Sequence, residues 1–538
     1  MTSASATHRA EVDRCPGVLR PHRAADGALL RLRLPGGQLP AQTLDIVNAA
    51  AARYADGDVQ LTSRANLQLR GVATDERGAV HPGLLAEIVR AGLLPHPSHE
   101  RVRNIVCSPL TGRRGGAADL RPLLRDLDAR LCSTPALAAL PGPFLIVLDD
   151  GRGDVATLAG DLGVVAVDQR TVTVLLGGLP SGLVLPLAET ADELISLALR
   201  FLRFTTVSGG QTPWRIREMP GRGKELLADE MSESFADVPV PATSAAAGFG
   251  EIQQDDGRVL ISTLVPLGLL NHDQTAALVR AAGRGAGELI VTPWRGVVVP
   301  DLPPTSAASI VRDLAAVGLA VDDGTPWRGL TACTGAPRCA SGQGETRSLA
   351  TQIARSRGSG AASVMAPAVH VVGCDRRCGA PSGPHIEVLT TGDGVVVRGV
   401  DGGDSSSAPV GPDTTPAAVV RETAAVRAAL DTVRAGGAVI TRPPRRYAYC
   451  GDGVQIYRES FAMIRAESDL SQLPPDAEKV AVRMVHACGQ TDLTADLSIH
   501  PDLVRAARTA LRDGAPIFTD ATMVASGGPA RARAHRTR

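Results

Sequence analysis

Four cysteines stand in two tight pairs, Cys333 and Cys339 in "TACTGAPRCASG" and Cys374 and Cys378 in "VVGCDRRCGAPSG". Five residues separate the first pair, three the second, and thirty-four lie between the pairs. Four thiolates suit either a structural zinc ion or a [4Fe-4S] cluster. Zinc knuckles commonly space their ligands by about two to four residues, so the five-residue gap counts against zinc. Glycines and prolines around each pair keep the backbone close to the sulfurs, as a cluster with bridging sulfides requires. Unrelated free thiols are the remaining reading. Cys15, Cys107 and Cys132 are unpaired at ligand spacing and read as small buried hydrophobes.

A second constellation is the run "DVQLTSRANLQLRGV". Read as one extended strand, it puts Thr62, Arg64, Asn66, Gln68 and Arg70 on one face and Leu61, Ala65, Leu67 and Leu69 on the other. A solvated outer face is the ordinary explanation of such alternation. This face, however, holds two arginines with Asn and Gln and no acid, which suits an anionic, hydrogen-bonding ligand such as a polycarboxylate. His370 and His385 flank the second cysteine pair as candidate ligands of a further metal, although a lone histidine is more often packed or exposed.

These residues sit in a chain that repeats itself. "DGALLRLRLPGGQLP", a helical "AQTLDIVNAAAARYADG" and the polar run return as "DGRVLISTLVPLGLL", "NHDQTAALVRAAGRGAG" and "ELIVTPWRGVVVPDL". One shift of 230 residues carries Asp26 to Asp256, Gly27 to Gly257 and Thr62 to Thr292. A β-α-β unit has been duplicated, and each copy leads into a longer lobe. A ligand site between such halves is the natural expectation. On the matching face the second copy has Thr292, Trp294, Gly296 and Val298, so the two strands have diverged in chemistry.

Composition narrows the function. The 538 residues carry no net charge and, apart from the Arg-rich "ARARAHRTR", no basic run long enough to follow a phosphate backbone, which argues against nucleic acid as the main partner. Lysine occurs only at Lys224 and Lys479, so the positive charge is almost all guanidinium. No apolar run approaches the roughly 20 residues of a membrane span, and the N-terminus lacks the apolar core of a secretion signal. A cytoplasmic protein without a membrane partner is expected, in which nine cysteines point to metal or redox work rather than disulfides.

The pattern C-x5-C followed by C-x3-C after a duplicated β-α-β unit resembles the sulfite and nitrite reductase superfamily. "LTSRANLQ" looks like its strand with an active-site arginine, here Arg64, and "VRNIVCSP" like its Arg-Asn segment, here Arg103 and Asn104. Within the superfamily, "CPGVLRPHRAADGALLRLRLPGG", "LTSRANLQLRG" and "VTPWRGVVVPD" resemble the precorrin-3B synthases of aerobic cobalamin biosynthesis. The reductases carry paired lysines in a Leu-Pro-Arg-Lys-Phe-Lys segment, where this chain has "LPGPFLIV", with Pro143 and Leu145 at the lysine positions. Losing those cationic acids disfavours reduction of a small anion.

The resemblance implies an iron-sulfur monooxygenase that hydroxylates precorrin-3A at C20 and forms a γ-lactone, with O2 and an electron donor as co-reactants. It implies a [4Fe-4S] cluster on Cys333, Cys339, Cys374 and Cys378, a non-haem iron, and Arg64 and Arg103 as catalytic residues. Arg64, Asn66, Gln68, Arg70, Arg103 and Asn104 would bind the macrocycle. The alternatives are a siroheme-dependent sulfite or nitrite reductase and a non-catalytic tetrapyrrole-binding scaffold. Neighbouring cobalamin-pathway enzymes are candidate partners.

From Tyr447, "YAYCGDGVQIYRESFAMIRAESDL" and "EKVAVRMVHACGQTDLTADLSIHPDLVRAARTALRDGAPIFTDATMVASG" resemble the N-terminal part of precorrin-8X methylmutase, with His486 at its catalytic histidine. The likeness reads as ending near Gly527, before "GPARARAHRTR", so a truncated or frameshifted domain of doubtful mutase activity is expected.

The expected fold is α+β: duplicated sulfite/nitrite reductase-like halves, each a ferredoxin-like β-α-β unit plus a larger α/β lobe, then a partial α/β methylmutase-like domain. The boundaries are 12–97 and 98–245 for the first half, 246–325 and 326–435 for the second, 436–446 for a linker, 447–527 for the methylmutase-like part and 528–538 for a tail.

Overall fold

In the computed structural model, residues 13, 15–158, 160–207, 213–227, 248–357, 368–381, 383–391, 394–401, 404–409, 453–488 and 490–515 are described. They form two units, Met1–Ala438 and Val439–Arg538. The first copy of the repeat gives β1 (His22–Ala24), β2 (Gly27–Leu32), β3 (Gln38–Pro40), α1 (Ala41–Tyr54), β4 (Val59–Leu61), β5 (Leu67–Val72) and α2 (Pro82–Arg90). Helix α1 buries Leu44, Val47 and Ala51, spaced to share one face.

The polar run is a hairpin, which corrects the expectation of one continuous strand. Thr62 accepts from the amides of Arg64 (3.3 Å) and Asn66 (3.1 Å) through its Oγ1, and its own amide donates to the Asn66 carbonyl at 2.9 Å. Ala65 takes a left-handed φ of 55°. Thr, Ser and Asn side chains offer the backbone such local bonds, and here they outcompete the ladder. Arg64 therefore projects from a turn, while Gln68 and Arg70 remain on β5.

The first lobe has three parallel strands, β6 (Ile105–Cys107), β7 (Ile146–Asp149) and β8 (Leu162–Ala166), extended antiparallel by β9 (Thr171–Leu176) and β10 (Leu179–Pro186). Helices α3 (Arg121–Ser133) and α4 (Thr190–Val207) pack with it. Every residue of β8 is buried, which explains its unbroken apolar sequence.

The second copy repeats the plan with β11 (Gly250–Gln253), β12 (Val259–Leu264), β13 (Leu269–Leu270), α5 (His272–Ala282), β14 (Glu288–Val291), β15 (Gly296–Leu302) and α6 (Pro304–Ala316). Its lobe contains β16 (Leu330–Ala332), α7 (Thr346–Arg357), β17 (Val369–Val372), β18 (His385–Thr391), β19 (Gly394–Asp401) and β20 (Asp404–Pro409). Strand directions match the first lobe: parallel through β16, β17 and β18, then antiparallel to β19 and β20.

The half domains exchange an edge strand. β3 pairs with β14 in the second sheet, and β13 pairs with β4 in the first. One apolar core accordingly runs through both, from Leu30, Leu44 and Leu67 to Ile261, Leu278 and Val299. Each such side chain contributes about 1.5–3 kcal/mol on burial, so the halves are held as one body.

In the second unit, α8 (Gly453–Glu467) and α9 (Glu478–Cys488) enclose a small core of Ile464, Val482 and Val485, with Leu493 of α10 (Leu493–Asp496) against it, while α11 (Leu503–Arg512) buries none of its residues. Among its described residues the regular elements are all helices, the part of the expected α/β domain that is described. The proposed linker, residues 436–446, and tail, 528–538, lie outside the described residues. Among those residues no helix is long and apolar enough to cross a membrane.

Candidate functional site

The cysteine pairs follow two neighbouring parallel strands. Cys333 comes directly after β16, and Gly373 and Cys374 directly after β17. The carboxyl ends of parallel strands are where open α/β sheets place ligands. Cys333 is fixed on all sides: its amide donates to the Val371 carbonyl (2.9 Å), Thr346 at the start of α7 donates to its carbonyl (2.7 Å), and the Gly373 amide points at its Sγ (3.3 Å). A Cβ on Gly335 would come within 2.4 Å of Thr346 Oγ1, and one on Gly342 within 2.6 Å of the Ala336 nitrogen. The glycines noted in the sequence are thus required by close packing of the loop.

The second loop is held by its middle and its end. Arg377 has a φ of 48° and an ion pair of 2.8 Å with Glu387, which is 1% exposed. His370, fully buried on β17, contacts the Cys378 carbonyl through Nε2 at 3.2 Å and Thr331 Oγ1 through Nδ1 at 2.8 Å. Burial pushes its pKa down to about 4, so the ring is neutral: Nε2 donates to the carbonyl and Nδ1 accepts from the hydroxyl.

All four cysteines line one cavity of about 740 Å³. Among the described residues, the trio of possible ligand atoms lying within 4.8 Å of one another is Asp149, Asp150 and Asp154, so no three of the sulfurs are that close. A lone tetrahedral zinc draws its sulfurs to about 3.8 Å apart. The wider setting fits a multi-iron cluster. Burial raises the Cys378 pKa, and the other three sulfurs add to the rise, so the thiolate set calls for a cationic occupant.

The rest of that wall is guanidinium. Arg23, Arg31, Arg70, Arg295, Arg347 and Arg376 line the cavity, and no carboxylate does. Among the described residues, Arg70 is the one of the six with an ion pair, to Asp26 at 2.7 Å, and it also donates to the Arg338 carbonyl. Gln68 links Arg31 to Gln60. A second cavity of about 520 Å³ adjoins the first, sharing Ser63, Arg295 and Gly379. It holds Arg64 and Arg217 among Trp294, Trp327 and Phe249, with Leu145 in its wall. Burial, then the neighbouring Arg215 and Arg31, push the Arg64 pKa down to about 10. Arg33, 3% exposed, is lowered to about 9, chiefly by burial and next by Arg31.

The structure brings together Arg64, Gln68, Arg70 and the four cysteines. It does not bring Asn66, Arg103 or Asn104 to either cavity. Asn66 caps the hairpin, its Oδ1 accepting from the Leu34 amide at 2.8 Å. Arg103 grips Asp128 of α3 through two bonds of 2.8 and 2.6 Å, and Asn104 donates to the carbonyls of Arg101 and Gly142. These are internal struts of the first lobe. Missed from sequence were Arg23, Arg31, Arg295, Arg347 and Arg376. Arg31 alone carried a local signal, the alternation of "LRLRLP".

The two histidines singled out from the sequence do not form a non-haem iron site at the cavities. Both nitrogens of His370 are engaged, His385 Nδ1 lies 2.8 Å from the Gly383 carbonyl, and neither ring lines a cavity. The aspartate trio is no better. Asp149 accepts four backbone amides, Asp150 pairs with Arg152, and Asp154 accepts from Ser108 at 2.6 Å. Burial raises the Asp154 pKa to about 6. A folded-state value above the unfolded value of about 3.9 gives stability present at low pH and lost as pH rises through about 6. Asp154→Asn is therefore expected to raise the melting temperature at pH 8, by roughly 1–3 kcal/mol of stability, with the gain gone near pH 4. Equal melting curves at pH 8 would contradict this.

In the second unit His486 lies on α9, its Nδ1 3.0 Å from Ser460 Oγ and its ring edge-on to Phe461.

Comparison with known proteins matches the model of the nitrite/sulfite reductase ferredoxin-like half domain twice, at residues 20–87 and 251–317, and that of precorrin-8X methylmutase at residues 455–537. The chain fuses a sulfite/nitrite reductase-like body to a methylmutase-like segment. The reductase-like body is 25% identical to a ferredoxin–nitrite reductase of Synechococcus elongatus over 409 residues, 69% of this chain and 78% of that protein. It is equally similar, at 25% over 411 residues, to a precorrin-3B synthase of Sinorhizobium sp, covering 72% of this chain and 83% of that one. Its fold is that of the NirA protein of Mycobacterium tuberculosis, with a TM-score of 0.61 and 19% identity over 74% of this chain and 80% of that one. The methylmutase-like segment is 53% identical over 81 residues to a precorrin-8X methylmutase of Sinorhizobium sp, 15% of this chain. The chain spans about two fifths (39%) of the length of that methylmutase.

Proposed function

We propose that the reductase-like body is a precorrin-3B synthase: it hydroxylates precorrin-3A at C20 with O2, and the ring A acetate closes a γ-lactone. One oxygen atom enters the substrate and the other leaves as water, which takes two electrons and two protons from a donor. A [4Fe-4S] cluster on Cys333, Cys339, Cys374 and Cys378 would relay the electrons.

The observation that carries this reading over a reductase is Leu145. It lines the cavity beside Arg64, where the reductases resembled by this chain place a lysine. Leu145 offers no ammonium group to protonate a small anion, and the guanidiniums of the same cavity hold charge without giving up a proton. The larger cavity, with six arginines and no acid, supports a ligand bearing several carboxylates, each of which a guanidinium can hold through two bonds. The chain's part is to bind and orient that macrocycle over the cysteine loops: Arg31 and Gln68 from β2 and β5, Arg347 and Arg376 from the second lobe, and Arg64 from the hairpin.

The test is the absorption spectrum of anaerobically purified protein, with iron and acid-labile sulfide assayed on the same sample. A broad iron-sulfur band without macrocycle bands is expected, followed by O2-dependent turnover of precorrin-3A. A stoichiometric siroheme would make the body a sulfite or nitrite reductase, the reading that the nitrite reductase similarity favours. Arg64→Ala should weaken precorrin-3A binding by about 10- to 100-fold with iron and sulfide intact. Unchanged affinity would remove Arg64 from the site.

A further inference from the structure

The hairpin of the second half domain carries a cation at a place where the first has none. Arg295 stands 230 residues after Ala65, and both are left-handed, with φ of 61° and 55°. A side chain in that conformation costs about 1 kcal/mol or more, and such strain persists only where the surroundings enforce it. They do so here: the Arg295 amide donates to the Thr292 carbonyl (3.1 Å), its carbonyl accepts from Val265 (3.2 Å), and Thr292 Oγ1 accepts from Gly296 (2.9 Å).

The side chain is equally fixed. Its stem covers Gly268, where a Cβ would come within 2.7 Å of Arg295 Cδ. Its Nη2 lies 3.4 Å from the carbonyl of Gly379, the residue after Cys378. Arg295 lines both cavities. It has no ion pair among the described residues, and a part-buried charge is costly until something opposes it.

We propose that Arg295 is a carboxylate anchor, holding one acid arm of a polycarboxylate tetrapyrrole across the partition between the two cavities, against the cysteine loop. The inference rests on the tetrapyrrole reading above. A guanidinium whose stem and backbone are fixed loses little freedom when it takes a carboxylate through its fork, so the anchor also sets the macrocycle's register over Cys378. The strained turn is retained because it aims this one side chain. Glycine would relax the backbone and lose the anchor.

Uroporphyrin, a tetrapyrrole with acetate and propionate arms on every ring, is the probe, titrated by fluorescence against wild type, Arg295→Gln and Arg295→Gly. Both variants are expected to bind about tenfold or more weakly with unchanged iron and sulfide. Arg295→Gly should melt at or above the wild-type temperature, because glycine suits a φ of 61°. Arg130→Gln, the same charge change on the exposed side of α3, should bind as wild type does. A loss under about threefold in both Arg295 variants, or an equal loss in Arg130→Gln, overturns the anchor and leaves the tetrapyrrole reading standing. A wild-type protein that does not bind uroporphyrin overturns both.

Discussion

Cys378→Ser is expected to reduce iron and acid-labile sulfide to near zero, whereas Cys132→Ser leaves both at the wild-type level. The four sulfurs line one cavity, and in the proposed cluster each would hold a different iron, so losing one removes a corner of the site rather than a replaceable contact. Serine is isosteric with cysteine but a hydroxyl is a poor ligand for iron in such a cluster. Cys378 also stands at the end of a loop whose shape depends on its own carbonyl bond to His370 and on the Arg377–Glu387 pair. Those backbone contacts survive the substitution, so the folded lobe should persist and the loss should be confined to the metal. Cys132 is different in kind. It is buried on α3, its thiol pushed up to about 11 chiefly by burial and then by Asp128, and it lines neither cavity. Equal iron and sulfide in the two variants would refute the ligand assignment.

The sequence carried the duplication, because a constant shift of 230 residues preserves strand, helix and strand in both copies. It did not carry the exchange of β3 and β13, since which sheet a two- or three-residue edge strand joins is decided by the packing of α1 against α5. The hairpin at Thr62–Asn66 was announced by its Thr, Ser and Asn and hidden by the alternation around it. Cysteine spacing was the most transferable signal, because a cluster imposes its ligand geometry on any fold. The arginines were the least. Arg103 sits in a family-like motif yet is bound by Asp128, 25 residues on, while Arg295 acquires its place only when two hairpins from distant parts of the chain meet. Whether a guanidinium reaches a cavity or braces a lobe is decided by the neighbours the fold brings it, and that is a tertiary fact.

Asp161→Ala is expected to be the most destabilising single substitution at the site, by about 3–5 kcal/mol. Asp161 is fully buried at the entry to β8, and its carboxylate accepts from Arg215 Nε at 2.7 and 2.9 Å and from the amides of Leu145 (2.9 Å) and Ile216 (2.9 Å). Alanine would take the carboxylate away from the buried Arg215 guanidinium and leave the Leu145 and Ile216 amides unsatisfied, which costs more than the contacts themselves contribute. Leu145 and Arg215 both line the second cavity, so the same change should loosen that wall and weaken tetrapyrrole binding beyond the fall in stability. For a body of about 400 residues the melting temperature should drop by roughly 4–6 °C. The double variant Asp161→Ala/Arg215→Ala should show a loss smaller than the sum of the two single losses, because both substitutions break the same pair. If Asp161→Ala melts like wild type, Arg215 reaches water without it, and the wall of the second cavity is not held by this pair.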